Sequence, residues 1–103
     1  MDAANNEIRE LQERASAAFE AGQLREAAEL YSRLCELRPE GDAFHYRLAL
    51  THKYLREWPQ SLRYNLRSLV LSGEHDEAAS WNAGIAATAI GDWAEARRQW
   101  QAC

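Results

Sequence analysis

Residues 15–31 read ASAAFEAGQLREAAELY, residues 49–65 read ALTHKYLREWPQSLRYN and residues 84–100 read GIAATAIGDWAEARRQW. The segments start 34 and then 35 residues apart, and the same offsets carry Ala27 to Ser61 to Ala96 and Tyr31 to Asn65 to Trp100. A spacing that survives at three independent places marks an internal repeat, and a unit of this length buries its apolar face only by stacking on its neighbours. In the first unit Leu24, Ala27, Ala28, Tyr31, Leu34 and Leu37 recur at steps of three and four, with Arg25, Glu26, Glu29, Ser32, Arg33 and Glu36 between them. That is the pattern of an amphipathic helix. Working outward, the chain reads as six helices, about 4–21, 24–37, 43–55, 59–71, 76–90 and 93–103.

Antiparallel helices approach closely only where side chains are small, so Ala15 is expected against Ala27, Ala49 against Ser61 and Gly84 against Ala96. Gly22 and Gly91 suit the left-handed residue that ends a first helix. In the second unit Arg56 holds that place and must either bear a cost of about 1–2 kcal/mol or form another turn. Pro59 falls where a helix should begin, where proline is tolerated.

Residue types and spacing together resemble the tetratricopeptide repeat family, whose unit is a helix-turn-helix of about 34 residues with small residues at the helix crossings. The first unit carries Ala15, Gly22, Leu24, Ala27, Tyr31 and a closing Pro39; the third carries Gly84, Gly91, Trp93, Ala96 and Trp100. The second departs from the pattern at Arg56, Ser61, Asn65 and Gly73, and register identifies it. The resemblance implies an all-α fold of tandem hairpins in a short right-handed superhelix. It implies one domain over 1–103, with repeats at about 8–41, 42–76 and 77–103, the last truncated. Because repeat arrays need a terminal helix with a polar outer face, the natural protein is expected to continue beyond QWQAC, or another chain to cover this end. Trp93 or Trp100 should then leave apolar surface bare and promote self-association.

The 103 residues carry 12 basic and 16 acidic side chains, a net charge of −4, which opposes nucleic-acid or anionic-membrane binding and favours a polypeptide partner. No apolar run approaches the roughly 20 residues that span a bilayer, and the polar, acidic start MDAANNEIRELQER is unlike a signal peptide, so a cytoplasmic location is expected. Cys35 reads as an inert, partly buried thiol, and Cys103, as the last residue, supports no structural expectation.

No catalytic residue, metal site or cofactor is expected. His45 and His52 lie two helical turns apart, on the order of 10 Å, too far for one tetrahedral site, and read as helix-surface or groove histidines. His75 with Asp76 and Glu77 reads as a helix start. There is no GxSxG, phosphate loop, HExxH or CxxC pattern, and the stretch EIRELQER reads as a solvated helix face.

In the family that the repeat resembles, the first helix of each hairpin lines an inner, concave surface. Equivalent places give three rows: Gln12, Tyr46 and Trp81; Ser16, Leu50 and Ile85; Phe19, Lys53 and Thr88, flanked by Arg47, Tyr54 and Asn82. Aromatics beside cations are enriched at interface hot spots, so Gln12, Phe19, Tyr46, Arg47, Lys53, Tyr54, Trp81 and Asn82 form the expected partner-binding set. Leu50 and Ile85 have packing between hairpins as an equal alternative. Some family members grip a terminal carboxylate with lysines, asparagines and arginine. The matching places here hold Gln12, Ser16, Arg47, Ala78 and Asn82, and only Asn82 and Arg47 keep suitable chemistry, which argues against a chaperone-tail adaptor.

The last segment, SWNAGIAATAIGDWAEARRQWQAC, resembles the final repeat of bacterial immunity-type proteins in which such a module precedes a β-rich domain. That resemblance implies a toxin as partner. The alternative from another class is a structural module that stabilises an attached catalytic or β-rich domain.

Overall fold

The computed structural model describes residues 3–73 and 76–102. It contains α1 (Ala3–Glu20), α2 (Leu24–Leu37), α3 (Asp42–Tyr54), α4 (Trp58–Leu71), α5 (Glu77–Ala89) and α6 (Trp93–Ala102), with no strand among the described residues. Every boundary lies within one residue of the sequence-based expectation. The expectations for His75 and Cys103 fall outside the described residues.

Each helix packs on its neighbours in sequence, and α3 also touches α5, so three hairpins stack along a body of 45 × 28 × 17 Å. Ala15, Ala27, Ala49 and Ser61 are wholly buried, and Ala96 nearly so. The crossings are therefore where the small residues stand. The third crossing has an added device: a Cβ on Gly84 would come within 2.6 Å of Trp100 Cδ1, so the missing side chain is what admits the indole.

The three hairpin turns share one hydrogen-bond pattern. In the first, Gln23 N donates to Ala18 O and Gly22 N to Phe19 O; in the second, Glu57 N donates to His52 O and Arg56 N to Lys53 O; in the third, Asp92 N donates to Ala87 O and Gly91 N to Thr88 O. This double closure satisfies the last carbonyls of the first helix and requires a left-handed residue. Gly22 and Gly91 take it at φ 78° and 79°, and Arg56 takes it at φ 60°. Arg56 therefore does not use another turn. Asp92 and Asp76 then cap α6 and α5, accepting from Glu95 N and Ala79 N.

Leu34, Leu48, Tyr31 and the surrounding alanines form the core of the first half, and Leu62, Leu69, Ala79, Ala83 and Ala86 that of the second. Asn65, the register counterpart of Tyr31, is wholly buried; its Nδ2 lies 3.5 Å from Ser61 Oγ and its Oδ1 has no hydrogen-bond partner among the described residues.

Candidate functional site

Six of the eight expected binding residues form one chain of contacts across α1, α3 and α5. Phe19 meets Tyr54 edge to face, with centroids 5.7 Å apart, and the Arg47 guanidinium lies 5.2 Å from the Phe19 centroid and 5.9 Å from that of Tyr31. Lys53 Nζ is 5.9 Å from the Tyr54 ring and donates to Asn82 Oδ1 at 3.0 Å. Asn82 Nδ2 in turn donates to the Tyr46 hydroxyl at 3.2 Å. Helix periodicity explains the grouping. Phe19, Lys53 and Tyr54 occupy the last turns of α1 and α3, whereas Tyr46 and Asn82 occupy earlier turns of α3 and α5.

The chemistry of this surface is that of hydrogen-bond donors with positive charge. Asn82 is buried and holds Lys53 and Tyr46 in place, and the partly exposed Lys53 ammonium has two further N–H groups beyond the one that it donates to Asn82. Burial, reinforced by nearby Asp76, pushes the Tyr46 phenol up from its ordinary value despite the Asn82 hydrogen bond and Arg47, which keeps its O–H protonated as a donor. Stacking over two rings orients Arg47. Leu50, Ile85 and Thr88 are half-buried beside the network.

Two expected residues stand apart from it. Gln12 is exposed and lines a shallow recess on α1 with Arg9, Glu13, Ser16, Ala17 and Glu20. Trp81 is 57% exposed, and its ring packs against Trp100 of α6 at 6.3 Å, while a small recess links it to Asn82, Glu77 and Ala78. Trp81 is therefore not enclosed between hairpins. At the end of the array Trp93 is 61% and Trp100 43% exposed, and with Ala96, Arg97 and Gln101 they line an open apolar recess. Their counterparts in the first unit, Leu24 and Tyr31, are half-buried and buried.

The histidines correct one expectation. His45 is buried, its Nδ1 2.8 Å from Gly41 O, because α3 begins at Asp42 and turns this position toward α4. His52 is also held, with Nδ1 2.8 Å from Glu57 Oε1, while Glu57 accepts from Arg25 of α2. These bonds, His52 first and Arg25 second, lower the Glu57 pKa. Sequence reading did not find this ion-pair cluster, since Arg25 and Glu57 belong to different units and only the fold joins them. Burial, helped by Glu36, pushes the Cys35 thiol up to about 11, so it is almost wholly protonated near neutrality. Among the described residues no group of three His, Cys, Asp or Glu side chains is placed to hold a metal ion, and no helix is long and apolar enough to cross a membrane.

No family model matches the chain, and no curated protein matches it. Solved structures do. The second TPR of Spaghetti (RPAP3), bound to the HSP90 peptide SRMEEVD, superposes with a TM-score of 0.85 at 18% identity, over 99% of this chain and 95% of that one. The N-terminal domain of stress-induced protein-1 (STI-1) from C. elegans gives 0.84 at 17% identity, over 98% and 84%. A chain of the CopN-Scc3 complex gives 0.88 at 15% identity over 94% of this chain, which spans 56% of the length of that one. The six-helix array thus has the tetratricopeptide-repeat fold.

Proposed function

We propose that this chain is a non-catalytic interaction module that holds a polypeptide partner against the surface formed by α1, α3 and α5, and that the segment it holds is acidic. The observation that carries this reading is the contact network from Phe19 and Arg47 through Tyr54 and Lys53 to Asn82 and Tyr46. It brings two cations and a protonated phenol of α3 together with Phe19 of α1 and Asn82 of α5, and the exposed Trp81 ring adds contact area next to Asn82. Two structural neighbours, the first and second TPRs of Spaghetti (RPAP3), bind SRMEEVD, a peptide with three carboxylate side chains. A terminal-carboxylate clamp of the kind found in some tetratricopeptide-repeat proteins is not assigned to this chain, because Gln12, Ser16 and Ala78 stand where it would need lysine, asparagine or arginine. An internal acidic stretch fits this surface better. Gln12, lying apart, belongs to the edge of the footprint.

The narrower reading is a cytoplasmic bacterial immunity-type protein whose partner is a toxin; it is supported by the resemblance of residues 80–103. Self-association through Trp93 and Trp100 is a further part of the proposal, supported by their exposure where the first unit's counterparts are covered. Peptides selected from a random library on the immobilised protein test the main reading. Enrichment of Asp and Glu, with binding reduced by Trp81→Ala, supports it; basic or apolar selections that ignore Trp81→Ala and Lys53→Glu overturn it. Sedimentation velocity across a concentration series tests self-association: wild type gains mass while Trp93→Ala remains a monomer, and a monomeric wild type at high concentration removes that part.

A further inference from the structure

An aromatic side chain, Tyr64 of α4, packs against the core that the second hairpin shares with the first. The Tyr64 ring of α4 stacks on His52 at 5.7 Å with planes 8° apart, lies 6.3 Å from His45, and has the Arg63 guanidinium 5.6 Å from its centroid. The repeat offset of 35 carries His45 to Ser80, His52 to Ala87, Gln60 to Glu95, Arg63 to Arg98 and Tyr64 to Gln99. At the second junction the capping arginine is therefore retained, whereas the ring and the imidazoles that it stacks on are gone.

A groove of about 330 Å³ lies open at that second junction, walled by Leu66, Leu69 and Val70 of α4 and by Glu95, Arg98 and Gln99 of α6. Glu95 is 8% exposed, unusual for a carboxylate. Its Oε1 accepts from Gln99 Nε2 at 3.4 Å, but its Oε2 is out of solvent with no hydrogen-bond donor among the described residues. Arg98 Nε approaches Oε2 to 3.1 Å as an ion pair outside hydrogen-bond alignment, and the Arg98 side chain is mostly exposed. A buried carboxylate oxygen without a donor is costly, and an apolar ligand that brings one donor relieves that cost.

We infer that this groove is a second binding site, for the side chain of a tyrosine in a polypeptide partner. The ring would lie on Leu66, Leu69 and Val70, the phenol O–H would donate to Glu95 Oε2, and Arg98 would cover the ring face as Arg63 covers Tyr64. Phenylalanine fills the space but leaves Oε2 without a donor, and a lysine meets the Arg98 charge. Ser80 at this groove and Asn82 in the aromatic network are two residues apart on α5, about 200° around the helix, so the two sites lie on opposite faces and stand or fall separately.

The test uses p-cresol, the tyrosine side chain as a free molecule, and 4-methylanisole, the same ring with its donor methylated, titrated into the ¹⁵N-labelled protein. Saturable shifts are expected at the amides of Leu66, Val70, Arg98 and Gln99 with p-cresol, with affinity for 4-methylanisole about fivefold weaker or worse. Gln99→Tyr restores the first junction's pattern from within the chain and should abolish the response to p-cresol. Absent or non-saturable shifts, equal affinity for the two ligands, or a folded Gln99→Tyr protein that binds p-cresol like wild type would each overturn the inference. If Gln99→Tyr does not fold, the comparison of the two ligands on the wild-type protein decides alone.

Discussion

Lys53 Nζ on α3 donates to Asn82 Oδ1 on α5 at 3.0 Å, joining the second and third hairpins through a buried amide that also donates to Tyr46. The ammonium is thus fixed at the centre of the surface rather than free on its stem. Lys53→Glu is expected to weaken an acidic peptide by about tenfold and to flatten the salt dependence of its association rate, with helix content unchanged. Stopped-flow binding at several ionic strengths measures both. Unchanged rates and slopes would remove Lys53 from the interface.

Arg56 occupies a left-handed conformation that glycine fills in both other hairpin turns. Its side chain is exposed and has no hydrogen bond among the described residues that would offset the strain. Arg56→Gly is expected to raise stability by about 0.5–1 kcal/mol, the relief of strain being partly cancelled by the greater freedom of glycine in the unfolded chain. Urea unfolding reads the change as a higher midpoint with an unaltered slope.

Gly84 is expected to be intolerant of even one methyl group. Its Cβ would collide with the Trp100 ring, so Gly84→Ala must displace the indole or part α5 from α6. A loss of about 1–3 kcal/mol is expected, with a red-shifted tryptophan emission as Trp100 enters water. The same substitution should leave the first hairpin intact, since its core is formed by Ala15, Ala27, Tyr31 and Leu34.

The fold was legible because its signals are local and repeated. Small residues recur at the crossings, and glycine or its substitute recurs at the turns, so three weak matches reinforce one another at a fixed offset. The expectation that Phe19, Lys53, Tyr54, Tyr46, Arg47 and Asn82 share a surface followed from register, which places equivalent residues on equivalent helices. Register does not say which partner a side chain chooses. Trp81 turned toward Trp100 because Gly84 lets that indole lie close to α5, and His45 turned inward where a surface position was expected. The groove beside Glu95 was not foreseen either. Its sequence trace is the replacement of Tyr64 by Gln99, and of His45 and His52 by Ser80 and Ala87, one repeat later.

The Glu57 cluster gives the protein an acid-sensitive clasp between the first two hairpins. Its folded pKa lies below the ordinary value of 4.5, so its stabilisation is fully present above that value and is lost as pH falls through it toward the folded pKa. Glu57→Gln is expected to flatten the fall in unfolding midpoint below about pH 4.5, with a modest effect because Glu57 is partly exposed and solvent screens it. Thermal unfolding of wild type and variant between pH 3 and pH 7 checks this; parallel curves would mean that the cluster contributes nothing to acid sensitivity.

The most direct test of the interaction surface is chemical-shift mapping of the ¹⁵N-labelled protein with an acidic peptide selected on it. The expected result is a continuous footprint over Tyr46, Lys53, Asn82 and the Trp81 indole, extending to Phe19 and Arg47 and sparing α4. A footprint confined to α4, or to the Trp93 and Trp100 face of α6, would contradict it and assign partner recognition to another side of the array.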